Sequence, residues 1–372
     1  MRIAFTGGGT GGHVTPLVAV AREVKRIAEE NRLTDLELFY FGPEPALPAE
    51  LAAEGVTFRH VAAGKLRAYF SVWNFVDPVW ILLGLVEALW HLFTVMPDVV
   101  FSKGGYGSFP TLAIARLYRL PVIIHESDAI PGRVHRWAGR WASRVAVSFP
   151  QAAAYFPGAR TALTGTPIRF PVIGGSRDEA REMFGVYSDR PLLFVIGGSQ
   201  GAVIINEAVV QILAELTNQF EVIHQVGEKN LEDVRLETAP ILEGGRGAYY
   251  HPVPFLDEKG MRLAYLLADL IISRAGATSI SEIAAWGKPS IIIPIKASAQ
   301  DHQRANAYAY GGHGAAIVIE EDNLTPSVLL NEIEKLMSAP AYRERFAAQA
   351  RSFAHLDAAR LIAEEILRLG RH

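Results

Sequence analysis

Short apolar runs alternate with helical periodicity along the whole chain. In the first half, 2–6, 36–41, 98–102, 121–125, 144–148 and 161–164 read as strands, because each is short and rich in branched or aromatic residues. Helical spacing fills 14–30, 78–95 and 108–118. The pattern restarts at Pro191-Leu192-Leu193-Phe194-Val195-Ile196, and further strands are expected near 220–226, 248–253, 269–273, 290–294 and 315–319. Strands alternating with helices predict α/β domains with parallel sheets. The stretch 166–190, with Pro167, Pro171, Gly174 and Gly175, reads as the linker.

Each half opens alike. The first strand runs into Gly7-Gly8-Gly9-Thr10-Gly11-Gly12-His13, and its counterpart into Gly197-Gly198-Ser199-Gln200-Gly201-Ala202. A strand, a glycine-rich turn and a helix present backbone N–H groups and a positive helix end to an anion such as phosphate. Two such units predict two nucleotide-binding-type domains facing across a cleft, with ligands beyond the carboxyl ends of the strands. Gly7, Gly9 and Gly12 also fit the dinucleotide spacing, but that reading needs an acidic residue at the end of the second strand. Arg32 and Tyr40-Phe41-Gly42 stand there instead, which argues against a nicotinamide or flavin enzyme. A tight turn without a ligand is the bland alternative.

Composition narrows the classes. A length of 372 residues suits two domains, since single cores stop growing near ~250–300 residues. Lys plus Arg is 36 against 39 Asp plus Glu, a formal charge of −3, which argues against a protein that coats nucleic acid. The chain has no cysteine, so disulfides and thiolate chemistry are excluded and zinc could be held only by His and carboxylates. The first strand starts at Arg2 with no leader pattern before it, which predicts a cytoplasmic location.

His13 stands where a helix begins, and a positive helix end lowers a histidine's pKa, so a neutral imidazole there can take a proton. Helix capping is its structural alternative. The segment Arg274 to Glu282 follows the strand 269–273 and opens another helix. Glu282 can accept two hydrogen bonds from a ribose diol. Ile280, Ile283 and Ala284 mark that helix's apolar stripe, and Glu282 falls off it, which predicts a cleft or surface residue. Residues 79–96 are nearly all apolar, capped by Asp77 and Pro78, but eighteen residues rise only about 27 Å and Glu87 and His91 interrupt them. A buried or interfacial helix is expected there. In 131–144, taken as one helix, Arg133, Arg136, Trp137, Arg140, Trp141 and Arg144 share an arc, a basic face with tryptophans suited to anionic lipid.

Six ordered motifs then carry a resemblance over nearly the whole chain. They are 7–13, Ser-Lys-Gly-Gly-Tyr at 102–106, His-Glu at 125–126, 197–202, Arg-Ala-Gly-Ala at 274–277 with Ser-Glu at 281–282, and Asp-His-Gln at 301–303. The chain resembles the MurG family, peripheral membrane glycosyltransferases that make lipid II of peptidoglycan. The resemblance implies the GT-B fold: an N-terminal Rossmann-like domain over 1–165, a UDP-sugar domain over 166–356, and a last helix near 357–372 packing back on the first. It implies that Ser199 and Gln200 lie at the diphosphate and Leu256 at uracil. Ala277, Thr278, Ser279, Ile280, Ser281 and Glu282 would line phosphate and ribose, with Gln303 on the sugar. Thr10, Gly11 and Gly12 would approach the sugar from the other domain, and Arg169 would lie at the hinge. Two positions depart from the family pattern: Ser127-Asp128 replaces Gln-Asn, which bears on the sugar contact of Asp128, and Thr166 replaces Asn.

The implied reaction is inverting transfer of N-acetylglucosamine from UDP-N-acetylglucosamine to the muramoyl 4-hydroxyl of undecaprenyl-diphospho-muramoyl-pentapeptide (lipid I), with His13, Glu126 and Asp128 as candidate bases. No cofactor or metal is implied, and no Asp-x-Asp is present. The implied partners are UDP-N-acetylglucosamine, lipid I, the cytoplasmic membrane surface and other cell-wall synthesis proteins. Three alternatives stand beside it: a related transferase with another lipid acceptor, a UDP-N-acetylglucosamine 2-epimerase, and a silent nucleotide-sugar-binding subunit.

Overall fold

The computed structural model describes residues 1–9, 11–33, 35–64, 73–168, 175–198, 201–296 and 301–371. The chain divides into two compact units, Met1–Arg169 with His355–His372, and Phe170–Ala354.

The first unit is built from β1 (Arg2–Thr6), α1 (Gly11–Glu30), β2 (Glu37–Gly42), α2 (Pro48–Ala53), β3 (Val56–His60), α3 (Trp73–Val95) and β4 (Val99–Ser102). It continues through α4 (Phe109–Leu117), β5 (Val122–Glu126), α5 (Arg133–Ala138), β6 (Arg144–Val147), α6 (Pro150–Ala153) and β7 (Thr161–Leu163). The strands form one parallel sheet in the order β3-β2-β1-β4-β5-β6-β7. The second unit runs α7 (Arg177–Phe184), β8 (Leu192–Ile196), α8 (Val203–Gln211), α9 (Leu213–Gln219), β9 (Glu221–Gln225), α10 (Leu231–Thr238) and β10 (Tyr250–Val253). After it come α11 (Glu258–Leu267), β11 (Leu270–Arg274), α12 (Ala277–Ala285), β12 (Ser290–Ile293), α13 (His302–Gly312), β13 (Ala316–Val318), α14 (Pro326–Ser338) and α15 (Pro340–Phe353). Its parallel order is β10-β9-β8-β11-β12-β13. The last helix, α16 (Ala358–Leu369), belongs to the first unit.

Alternation along β1 explains the layering. Ile3 and Phe5 point to one face, where Leu17, Val20 and Val24 of α1 and Ile362 and Ile366 of α16 cover them. Ala4 points to the other, with Ala88 and Leu92 of α3, Leu112 of α4 and Ala138 of α5. Both faces are therefore apolar, as a parallel sheet requires. In the second unit Leu193 and Val195 pack with Ile205 and Val209 of α8 and with Leu329 and Ile333 of α14.

Four sequence expectations need correction. β3 was not expected; it is an edge strand with one buried residue, Val56, so its apolar pattern is weak. The 166–190 linker holds α7, capped by Ser176, whose Oγ accepts from Asp178 N and Glu179 N. α3 begins at Trp73 rather than at an Asp77–Pro78 cap, with Pro78 inside it. The 131–144 stretch is not one helix: α5 ends at Ala138, and Arg144 opens β6.

α3 is held by two glycines that let backbone meet backbone. A Cβ on Gly84 would lie 1.9 Å from Ala62 O, and one on Gly64 would lie 2.2 Å from Asp77 O. Glu87 Oε2 also accepts the Ala62 N–H at 2.7 Å. Gly84→Ala is expected to push α3 outward and cost ~1–3 kcal/mol, the usual range for overpacking. Calorimetry should show a lower unfolding midpoint, whereas Gly12→Ala, with no heavy atom within 4 Å of its added carbon, should leave the midpoint in place.

Candidate active site

Strand order reverses between β1 and β4 in the first unit and between β8 and β11 in the second. Ligands of open parallel sheets bind beyond the strand ends at such reversals. In the first unit, the turn after β1 and the turn after β4 touch. A Cβ on Gly105 would lie 3.0 Å from Gly8 Cα and 3.1 Å from His13 Nε2, and one on Gly8 would lie 2.8 Å from His13 Cδ2. The missing side chains make the space that the imidazole occupies. Gly11 and Gly12 open α1 with no heavy atom within 4 Å of an added carbon, so this helix start is uncluttered. Thr10 lies outside the described residues.

His13 Nδ1 sits 3.3 Å from Lys103 O. A carbonyl only accepts, so Nδ1 carries the hydrogen and Nε2 keeps its lone pair. Burial, helped by the Lys103 charge, lowers the His13 pKa to about 4. The ring is therefore neutral at neutral pH.

Behind it lies a buried polar network. Lys103 is buried, and its Nζ donates to Ser127 Oγ at 2.8 Å. Burial lowers its pKa, opposed by the charges of Glu126 and Asp128. Glu126 accepts from Asp128 N and Gly132 N, both at 3.1 Å, and from His135 Nδ1 at 3.0 Å. Burial raises the Glu126 pKa, but His135 and Lys103 overcome it and hold the carboxyl well below the usual carboxylate range. His135 Nε2 in turn meets Ser102 Oγ at 3.5 Å, and Ser102 Oγ accepts Gly104 N at 3.1 Å. Both oxygens of Glu126 thus organise loops. Asp128, on the same loop, is half-buried. Arg169 lies outside the described residues.

In the second unit the glycine turn after β8 holds Gly198 and Gly201 at φ of 90° and 75°. A Cβ on Gly201 would strike Val226 O at 2.1 Å. Ser199 and Gln200 lie outside the described residues. Gln225, which the sequence reading missed, bridges the turn to the loop at Leu256. Its Nε2 donates to Gly198 O at 3.0 Å and its Oε1 accepts Leu256 N at 3.2 Å. After β11, Gly276 leads into α12 without a capping side chain, so the first amides of Ala277, Thr278 and Ser279 face outward from the strand end. Ile280 is fully buried, and Ser281 Oγ bonds back to Ala277 O at 2.9 Å. Gln303 Oε1 accepts Ile295 N at 3.2 Å.

Glu282 corrects an expectation. It is 4% exposed, not a surface residue, and its Oε2 accepts Tyr265 Oη–H at 3.1 Å. Tyr265 comes from α11 and is fixed against Phe194 and Trp286. A hydrogen-bonded carboxylate is buried where the apolar stripe alone predicted exposure. Arg274, the first residue of the 274–277 motif, ends β11 and pairs with Glu321 Oε1 at 2.6 Å.

The residues expected at a lipid surface are redistributed as well. Trp137 and Trp141 are half-buried, edge to face at 5.2 Å, with the Arg116 guanidinium over both rings. Arg144 pairs with Glu365 of α16 at 2.7 Å, and Arg136 lies over Tyr155 at 4.8 Å. Arg133 and Arg140 are exposed. The large exposed apolar surface is on α3, where Val79, Leu82, Leu83, Val86, Trp90 and Phe93 follow helical spacing, with Trp90 65% exposed. α3 is long and apolar enough to cross a membrane, yet its other side is packed on the sheet.

The chain matches the glycosyltransferase family 28 N-terminal domain over residues 3–147 and the corresponding C-terminal domain over 192–364. It is 36% identical to the UDP-N-acetylglucosamine--N-acetylmuramyl-(pentapeptide) pyrophosphoryl-undecaprenol N-acetylglucosamine transferase of Clostridium kluyveri, over 94% of this chain and 95% of that protein. It is 36% identical to the protein of the same description from Lachnospira eligens, over 90% of each chain. Among solved structures it is similar to Acinetobacter baumannii MurG, with a TM-score of 0.74, 26% identity and 99% of both chains covered. A UDP-N-acetylglucosamine 2-epimerase from Neisseria meningitidis shares the fold at TM-score 0.70 and 12% identity, over 99% of this chain and 100% of that one.

The histidine assignment has a direct check. A ring titrating at about 4 in the fold against ~6.5 unfolded binds fewer protons when folded. Its contribution to stability is therefore present above about 6.5 and lost as pH falls toward 4. Histidine-selective NMR should show the His13 midpoint near 4 with Nδ1 protonated; a midpoint near 6.5 would overturn the buried neutral ring.

Proposed function

The chain belongs to the MurG family of glycosyltransferases, and we propose that it transfers N-acetylglucosamine from UDP-N-acetylglucosamine to the muramoyl 4-hydroxyl of lipid I, forming lipid II. The observation that carries the reading is the neutral His13, its Nε2 lone pair kept free of the Lys103 carbonyl, at the uncluttered start of α1. An acceptor hydroxyl needs a group that takes its proton as the new bond forms, and a neutral imidazole at neutral pH does so. Glu126 suits the role less, because three donors already occupy it.

The donor reading rests on the second unit. The starts of α8 and α12 stabilise the charge that grows on departing UDP, as helix N-termini do for anions. Glu282, aligned by Tyr265, accepts from the ribose hydroxyls, and Gln225 sets the distance between the glycine turn and the Leu256 loop beside uracil. Gln303 would meet the sugar. Loss of UDP from an α-linked donor by attack from the opposite face gives a β-linked product in one displacement.

The enzyme acts at the membrane surface as a peripheral protein in this reading. The exposed stripe of α3 enters the lipid interface, and the exposed Arg133 of α5 and Arg140 just beyond its end meet anionic headgroups. The second unit is not needed for that contact.

Two measurements test these roles. His13→Ala should lower kcat by ~10²–10⁴-fold, the usual worth of general-base catalysis, with UDP affinity unchanged by calorimetry. A variant that keeps wild-type kcat removes His13 from the chemistry. Trp90→Glu with Phe93→Glu should abolish cosedimentation with anionic vesicles and spare UDP binding; unchanged cosedimentation would move the lipid contact elsewhere.

A further inference from the structure

The buried Lys103 ammonium neither takes the acceptor's proton nor meets the leaving group in this reading. Lys103 reaches two parts of the first unit at once. Its backbone carbonyl accepts from His13 Nδ1, and its ammonium donates to Ser127 Oγ at 2.8 Å. Ser127 precedes Asp128, whose charge acts on Lys103 together with that of Glu126. Where the family pattern has an amide at 128, this chain has a half-buried carboxylate, and the fully buried Lys103 ammonium is tolerated only with partners.

The geometry assigns Lys103 as a positioning residue for the transfer: through its carbonyl it orients His13, and through its ammonium it holds the Ser127–Asp128 loop and balances the charge of Asp128. The assignment rests on the reading of His13 as the base. Every titratable group acting on His13 belongs to this set: Lys103 after β4, Glu126 at the end of β5 and His135 of α5. Lys103 opposes protonation of His13, Glu126 favours it, and His135 opposes it. Asp128 enters through Lys103. With both its carbonyl and its ammonium engaged, a shift of Lys103 moves the imidazole and the loop together.

Lys103→Met keeps the bulk of the stem and removes the charge. It should lower kcat about 10²-fold, the cost of misplacing a catalytic group by an ångström, while the KM for UDP-N-acetylglucosamine stays the same. The His13 titration midpoint, followed by NMR in the full chain without substrate, should move upward yet stay well below the ~6.5 to which loss of burial would carry it. Adding Asp128→Asn to Lys103→Met should recover part of the rate, so that the two single losses do not add. An unmoved midpoint, or losses that multiply independently, overturns the assignment. If Lys103→Met does not fold, Ser127→Ala is measured: a lowered kcat at unchanged donor KM supports the tether, and wild-type kcat overturns it. Absence of transfer by the wild-type protein would instead sink the function reading and leave the NMR midpoint to decide the role of Lys103.

Discussion

A parallel sheet covered on both faces can offer a polar ligand only its ends. Its backbone groups are spent on the neighbouring strands and its side chains on two apolar layers. Free N–H groups appear only where a helix starts, and the strand-order reversals of both sheets leave room above such starts. The rest of the molecule follows from this. The glycine turns after β1, β4 and β8 exist because nothing larger than a backbone fits where they meet Gly8, His13 and Val226. His13 is the third residue of α1, where burial and the Lys103 charge keep it neutral.

The second consequence is electrostatic. Chemistry at a sheet end puts charges among buried neighbours, and a buried charge without partners is costly. The first unit solves this by sharing. Glu126 takes three donors, one of them His135; His135 reaches Ser102; Ser102 takes Gly104 N; and Lys103 donates to Ser127. The second unit does the same on its buried carboxylates: Glu282 accepts the Tyr265 hydroxyl, and Glu221 accepts Ser188 N and meets His251 Nε2. Buried network members of this kind fix geometry more than they add stability.

Apolar periodicity made most strands and helices legible, because long buried runs have few alternatives. It failed where burial is polar or partial. β3 buries one residue of five and carries almost no pattern. Glu282 lies off the Ile280–Ile283 stripe and is buried all the same, because its partner Tyr265 arrives from another helix seventeen residues earlier, a pairing no local spacing reveals. The arginine–tryptophan arc over 131–144 assumed one helix, and the break after Ala138 turns Trp141 inward and puts Arg144 on a strand. Gln225 lacked a signal of its own, since it acts through backbone groups of loops that only the fold brings near, and Lys103, though inside the 102–106 motif, showed no sign of its partner Ser127. The glycine motifs fared better, since a turn that tolerates no Cβ leaves its mark in the sequence.

A histidine held at about 4 raises a question of base strength. Such a ring is neutral at every physiological pH, but it is a weaker base than one poised near 7. Burial and the Lys103 cation depress it. An anion placed at the start of α1, such as a diphosphate, opposes the Lys103 field and raises the histidine's pKa toward the working range. The charge that guards His13 against protonation in water is one that such an anion would offset.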